Sequence, residues 1–425
     1  MNISTKNSGI NTSLQKTIIK QLESYRNHLK EVQEHGGFDA LESSINLPFS
    51  KHLEPIIEKA KSYQGKSLRT VVIVGIGGSN LGTQAIYEAL PKKDVELIFL
   101  DTVSSSHFLS VVEKLTKRLK NKKQFLIVTI SKSGGTSETL ANTETLLSAL
   151  KKPYGDVRDR MVVITDEGSK FHDVAIKQKI DSLTMPKMVG GRFSVFSAVG
   201  LFPLAVAGYD VRALCRGAKA TVEASLSSKL DENIATTLAI TTHLQQKNGY
   251  NIHNSFFFAP ELESLGKWER QLIGESLGKE FDLNGKRVNA GITPIVSIGS
   301  TDLHSMAQLY FGGPRDKFTT IVSVKDTHRV FIPHKLVFPN LVDHLAGKTL
   351  TELMNAIVGG VVASYQKAKL PFVECVFEKL DEVSLGMFLQ MRMMEMMYLA
   401  QLMNVNAFDQ PNVEMYKMET KKRLE

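Results

Sequence analysis

The sequence is poor in the features that mark secreted, membrane-spanning or metal-loaded proteins. Only two of its 425 residues are cysteine, Cys215 and Cys375, and they lie far apart in no metal-binding spacing. That excludes a disulfide framework and suits a reducing compartment, so a cytoplasmic location is expected. None of the eleven histidines forms an i, i+4 pair or an H-E-x-x-H motif, so no metal site is expected. Met1 to Gln15 is polar and lacks the apolar centre of a signal sequence. The longest mostly apolar stretch, Phe193 to Gly208, falls short of the ~20 residues a membrane span needs. It reads as a buried helix, and no membrane partner is expected. Low-complexity tracts and proline-rich linkers are missing as well. The net charge of +8 and pI of about 9.1 favour anions without naming one. No aromatic-interleaved basic stretch accompanies that charge, so nucleic acid is not an expected partner. Lys417 to Arg423 reads as a solvated helical tail.

What is present is a regular alternation. Thr70 to Val74, Val95 to Leu100, Gln124 to Ile130 and Met161 to Ile164 are short, continuous apolar runs. Helical patterns follow the first three over Leu81 to Leu90, His107 to Lys120 and Thr136 to Leu150. This is the signature of βαβ units around a parallel sheet covered on both faces. Val211 to Lys247 reads as helical throughout. Strand patterns then resume at Ser255 to Ala259, Pro294 to Ile298, Thr319 to Val324 and Phe372 to Phe377, with a long helix over Leu385 to Met403. The sequence thus predicts an α/β protein of two doubly wound parallel-sheet domains with extra helices. Residues 1–205 form an N-terminal arm plus the first domain, whose sheet core runs over about 68–190. Residues 206–425 form the second domain with its C-terminal helical segment. A short echo, Ile76 to Thr83 against Ile298 to Ser305, suggests a duplicated domain.

Two loops in the first domain have the composition of anion sites. Gly75-Ile-Gly-Gly-Ser-Asn-Leu-Gly82 leaves the first strand and opens a helix, and Gly78 and Ser79 lie at its centre. Such glycines let backbone N–H groups approach an anion at a helix N-terminus. Asp101, at the end of the second strand, stands where a ribose-binding acid would sit, so a nicotinamide enzyme is one alternative. Ser131-Lys-Ser-Gly-Gly-Thr-Ser-Glu-Thr139 follows the third strand and packs five hydroxyl side chains into nine residues. A phosphate dianion needs convergent donors of this kind; a polar turn with a helix cap is the competing explanation.

Three further segments carry candidate chemistry. Gly190-Gly-Arg192 turns tightly and projects a fixed cation suited to a developing oxyanion; a salt-bridged structural arginine is the alternative. Glu275, in Gly274 to Lys279, falls near Trp268 at the edge of an apolar helical face. A partly desolvated carboxylate there suits a general base, with Glu269 as a local rival. His304 follows the strand Pro294 to Ile298 and could exchange protons near neutrality, although a lone histidine is more often structural.

These segments, with Phe408 to Lys417, together resemble the glucose-6-phosphate isomerase (phosphoglucose isomerase) family. They occur in the family's order over residues 70–417, and the length is similar to the family's shorter bacterial form. The resemblance implies two sugar-isomerase (SIS) domains. It also implies reversible conversion of glucose 6-phosphate to fructose 6-phosphate through ring opening and an enediolate, in glycolysis and gluconeogenesis, without a cofactor. Ser79, Ser131, Ser133 and Thr136 would hold the phosphate with Gly78 and the Lys132 backbone, and Gln410 would line the sugar site. Glu275 would move the proton between C1 and C2, and Arg192 would meet the enediolate charge. His304 and Lys417 would assist ring opening, with Glu138 supporting His304. The histidine would come from a neighbouring subunit, which implies a homodimer with shared sites. Leu277 and Pro411-Asn412 depart from the pattern of many members and leave the pocket's shape open. An isomerase for another sugar phosphate, or a sugar-phosphate sensor without chemistry, are the competing functions; the joint presence of Arg192, Glu275 and Lys417 disfavours the sensor.

Overall fold

A computed structural model describes all 425 residues. It contains two five-stranded sheets. The first runs, in spatial order, Glu96–Leu100, Thr70–Val74, Phe125–Ile130, Met161–Asp166 and Asp181–Met185, all parallel. The second runs Thr293–Ile298, Ile252–Phe257, Lys317–Val324, Phe372–Phe377 and Asn2–Ser4. Its first four strands are parallel, and Asn2–Ser4 closes the edge antiparallel.

The three inner strands of the first sheet divide their side chains between two cores, because successive residues face opposite sides. Val71, Ile73, Leu126 and Val128 join the large central core, while Val72, Val74, Phe125 and Ile127 join a smaller one behind the sheet. The second sheet repeats this. Phe257, Val322 and Val373 face the central core, and Phe256, Ile321 and Phe372 face a third cluster. The two sheets therefore flank one shared core.

Ala198–Ala207 is a helix buried along its whole length, as its unbroken apolar sequence requires. The helical region expected over Val211 to Lys247 divides into Val211–Ser225 and Ile234–Lys247, the second started by an Asn233 cap. Both pack on Glu382–Leu402. Four strands carried no sequence signal that marked them. Asp181–Met185 is an edge strand with partly exposed polar residues, and Lys279–Phe281 with Arg287–Ala290 is a short hairpin. The N-terminal arm crosses the molecule, so its strand belongs to the second sheet.

Both sheets have the same order: the second strand lies outside the first, and the third and fourth lie on the other side. This duplication does not run through the Ile76/Ile298 echo. Ile76 follows the first strand of its sheet, whereas Ile298 ends the second strand of its own. The echo matches topologically different loops.

Candidate active site

In such sheets, ligands bind beyond the strand carboxyl ends where the order reverses direction. In the first sheet that point lies between Thr70–Val74 and Phe125–Ile130, whose outgoing loops are Gly75 to Asn80 and Ser131 to Thr136.

Both loops deliver a helix start with no side-chain cap. Asn80 precedes the helix Leu81–Ala89, but its amide donates to Asp101 instead (3.2 Å). Asp101, the acid expected to bind ribose, is thus engaged by the loop itself. Thr136 precedes Ser137–Tyr154, but its hydroxyl bonds Ser131 Oγ (3.0 Å). The backbone N–H groups of Gly77, Gly78, Lys132, Ser133 and Thr136 donate to no group within the chain. Open N–H groups, hydroxyls and two helix dipoles converging on one edge form an anion site. Lys132 sends its side chain elsewhere, to the Val189 carbonyl (3.0 Å). Burial holds its ammonium below the usual lysine range, and Asp166 acts in the other direction. Glu138 is half-buried in the first turn of its helix and bonds neither the loop amides nor His304.

Gly78 fixes the next contact. A β-carbon there would lie 2.2 Å from the Gly191 carbonyl carbon, so only glycine lets the Gly190–Arg192 turn close onto the first loop. The turn places Arg192 at the anion site's flank, with its side chain only 1% exposed. Arg192 Nε donates to Ser276 Oγ (3.0 Å), and Nη1 donates to Glu275 Oε2 (3.2 Å) and Gln410 Oε1 (2.8 Å). Nη2 donates to the carbonyls of Ala407 and Asp409. Burial lowers its pKa, opposed by Glu275, yet a guanidinium stays charged in proteins. Three segments more than eighty residues apart thus meet on one arginine.

Glu275 sits near the end of the helix Glu263–Leu277, its side chain 31% exposed. Its second oxygen accepts from Gln271 Nε2 (3.0 Å). Gln271 was not among the sequence candidates, although its position one turn before Glu275 is the spacing at which helical side chains meet. Lys279 was also missed. Its buried ammonium donates to the Glu275 and Asp409 carbonyls, tying the helix end to the segment that holds Gln410. Burial lowers its pKa first, with Arg192 adding to that. The rival Glu269 is buried and faces Arg392 in the core, away from this cluster.

The structure thus brings together Gly78, Ser79, Ser131, Ser133 and Thr136 at one end and Arg192, Glu275 and Gln410 at the other. His304 and Lys417 join neither group within the single chain. His304 is exposed and unbonded, and Lys417, on the exposed helix Glu414–Leu424, pairs with Glu414 (2.6 Å). A site with an anion cradle at one end and a carboxylate–guanidinium pair at the other can hold a phosphorylated substrate by its phosphate. It can then exchange a carbon-bound proton at a distance from it.

The family model of phosphoglucose isomerase matches residues 45–424. A glucose-6-phosphate isomerase of Campylobacter jejuni is 32% identical over 408 residues, covering 94% of this chain and 95% of that protein. A glucose-6-phosphate isomerase of Thermus thermophilus is 35% identical over 356 residues, covering 83% of each chain. A crystal structure of a hypothetical protein from Thermus thermophilus superposes with a TM-score of 0.90 at 31% identity, over 100% of this chain and 99% of that one.

Proposed function

The chain belongs to the phosphoglucose isomerase family and is an isomerase acting on glucose 6-phosphate, and we propose that its reaction runs through an enediolate between Glu275 and Arg192. The pairing of a third-exposed carboxylate with a buried guanidinium carries this proposal.

The phosphate of glucose 6-phosphate or fructose 6-phosphate sits on Ser79, Ser131, Ser133 and Thr136, with the N–H groups of Gly78 and Lys132. Gln410 lines the sugar. His304 and Lys417 open the ring, and Glu138 supports His304. Glu275 takes the proton from C2 of the open-chain aldose, and the electron pair moves through C1 onto its oxygen. The Arg192 cation meets that charge, and the rest of the site need not reorganise for it. Glu275 returns the proton to C1, the hydroxyl proton passes from O2 to O1, and C2 becomes the carbonyl. Phosphate binding far from the reacting carbons supplies orientation.

We infer a homodimer with shared sites, in which the partner brings the histidine. Two observations support it. The His304 ring is exposed and bonds no group of its own chain, and Val330, Phe331, Val337, Phe338, Leu341 and Val342 are exposed apolar residues on the same half of the molecule. Large exposed apolar patches mark protein contacts. No helix is long and apolar enough to cross a membrane, and a cytoplasmic role in glycolysis and gluconeogenesis fits the two-cysteine composition.

A coupled assay with fructose 6-phosphate tests the mechanism. Glu275→Gln should lower kcat by about 10²–10⁴ or more. Near-normal turnover of that variant, or a wild type inactive until metal is added, would overturn it.

A further inference from the structure

The helix Glu263–Leu277 that carries Glu275 and Gln271 on its site face carries Glu269 on its core face. Glu269 forms an ion pair with Arg392, and Arg392 forms another with Glu395; the three side chains are 0–2% exposed. Arg392 and Glu395 lie on Glu382–Leu402, a helix buried over most of its length and packed on three other helices. Glu269 Oε2, Arg392 Nε and Glu395 Oε1 find no hydrogen-bond partner. Two carboxyl groups share one guanidinium, so not all of their oxygens can be paired.

Such a cluster is a poor way to stabilise a core. Replacing buried ion pairs by apolar residues of similar volume is often neutral or stabilising. The neighbouring positions Leu265, Trp268 and Leu272 already fill the core with apolar side chains. An ion pair differs from them in being directional: it holds a helix at one rotation and one height, where apolar packing tolerates small slips. For a proton shuttle that matters, since a displacement of about 1 Å can cost roughly 10²-fold in rate.

We propose that Glu269, Arg392 and Glu395 form a positioning latch that fixes the rotation of the helix bearing Glu275, so that the base meets the sugar carbons. The proposal rests on the assignment of Glu275 as the base. None of the three residues touches substrate. The three latch residues make no hydrogen bond to the phosphate loops, although the helix they hold packs on Leu81–Ala89, which leaves the first of those loops.

The test is a charge-free core: Glu269→Met, Arg392→Met and Glu395→Leu together, compared with wild type and Glu275→Gln for kcat, KM and Tm. A triple variant with Tm at or above wild type, kcat down about tenfold or more and KM for fructose 6-phosphate within about twofold supports the latch. Wild-type kcat at wild-type Tm overturns it, and so does a parallel fall of Tm, kcat and substrate affinity, which would mark general loosening. If the triple variant does not fold, Glu269→Gln decides. It keeps the side-chain shape and removes the charge; a kcat loss at unchanged KM supports the latch, and unchanged kcat overturns it. Glu275→Gln separates the two proposals, because normal turnover there removes the base assignment whatever the core variants do.

Discussion

The two sheets share one strand order, yet they treat one of the two helix starts at the same topological point in opposite ways. In the first sheet both helices that leave the reversal point start without a side-chain cap, and the capping residues Asn80 and Thr136 bond elsewhere. In the second sheet the helix Leu350–Lys367 starts with a complete capping box: Thr349 accepts from Glu352 N–H and the Glu352 carboxylate accepts from Thr349 N–H. The other helix there, Glu263–Leu277, starts without a side-chain cap, behind a turn that Pro260 enters without an N–H to satisfy. At the helix after the third strand, the first half keeps its donors free and the second half consumes them. The second half instead uses the far end of Glu263–Leu277, where Glu275 stands. On the proposed mechanism, a duplicated topology divides the work, with anion binding in one half and the base in the other.

The sharpest test of this division is Ser131→Ala with Thr136→Val. Hydrogen bonds to a charged group contribute about 1.5–3 kcal/mol each, so losing two should raise KM for fructose 6-phosphate roughly 100-fold or more. Thermal stability should change little, because no helix cap is lost. A collapse in stability with an unchanged KM would show that these hydroxyls serve the fold, and the comparison between the halves would break.

How much of this was legible in the sequence depended on whether the signal was local. Thr70–Val74 and Phe372–Phe377 are continuous apolar runs because both faces are covered, and their sequence patterns coincide with the strands. Asp181–Met185 and Asn2–Ser4 are edge strands, short or polar on one side, and their patterns do not stand out from loop. The Ser131 loop was legible from composition alone. The meeting of Arg192 with Glu275 and Gln410 was not, since residue periodicity carries no information about contacts across eighty or two hundred positions. Family motifs marked those three residues, but not Ser276, Gln271 or Lys279, whose places come from what they touch. Local reasoning also left Glu269 and Glu275 as rivals; only packing separates the core-facing carboxylate from the one at the site.

The second half also buries a cluster of three ionisable side chains, Glu269, Arg392 and Glu395. Burial pushes the Glu395 carboxyl up to about 7, partly offset by Arg392, against an ordinary value of about 4.3. The folded protein therefore holds a proton that the unfolded chain releases between those values. The stability this contributes is complete below the unfolded value and is lost as the pH rises through the folded one. Raising the pH from about 5.5 to about 8 should lower the Tm of wild type more than that of Glu395→Gln. His243, pushed down to about 4 by burial, and His253, also lowered by burial, act in the opposite sense and lose stability as the pH falls. The difference between the two proteins is therefore the quantity to measure. Superposable Tm profiles would mean that Glu395 carries no extra proton in the folded state.

The smallest expected effect lies at the capped helix. Thr349→Ala removes the side-chain acceptor of the capping box, which contributes about 1 kcal/mol. In a chain of this size that shifts Tm by no more than about 2–4 °C. The kcat/KM should stay at the wild-type value, because the Leu350, Glu352 and Leu353 amides at this N-terminus are satisfied within the chain. Thr349 and Thr136 thus occupy the same position before topologically matching helices, and the same kind of change should cost stability at one and substrate affinity at the other. A raised KM in Thr349→Ala would place the second helix start at a ligand site and remove the division between the halves.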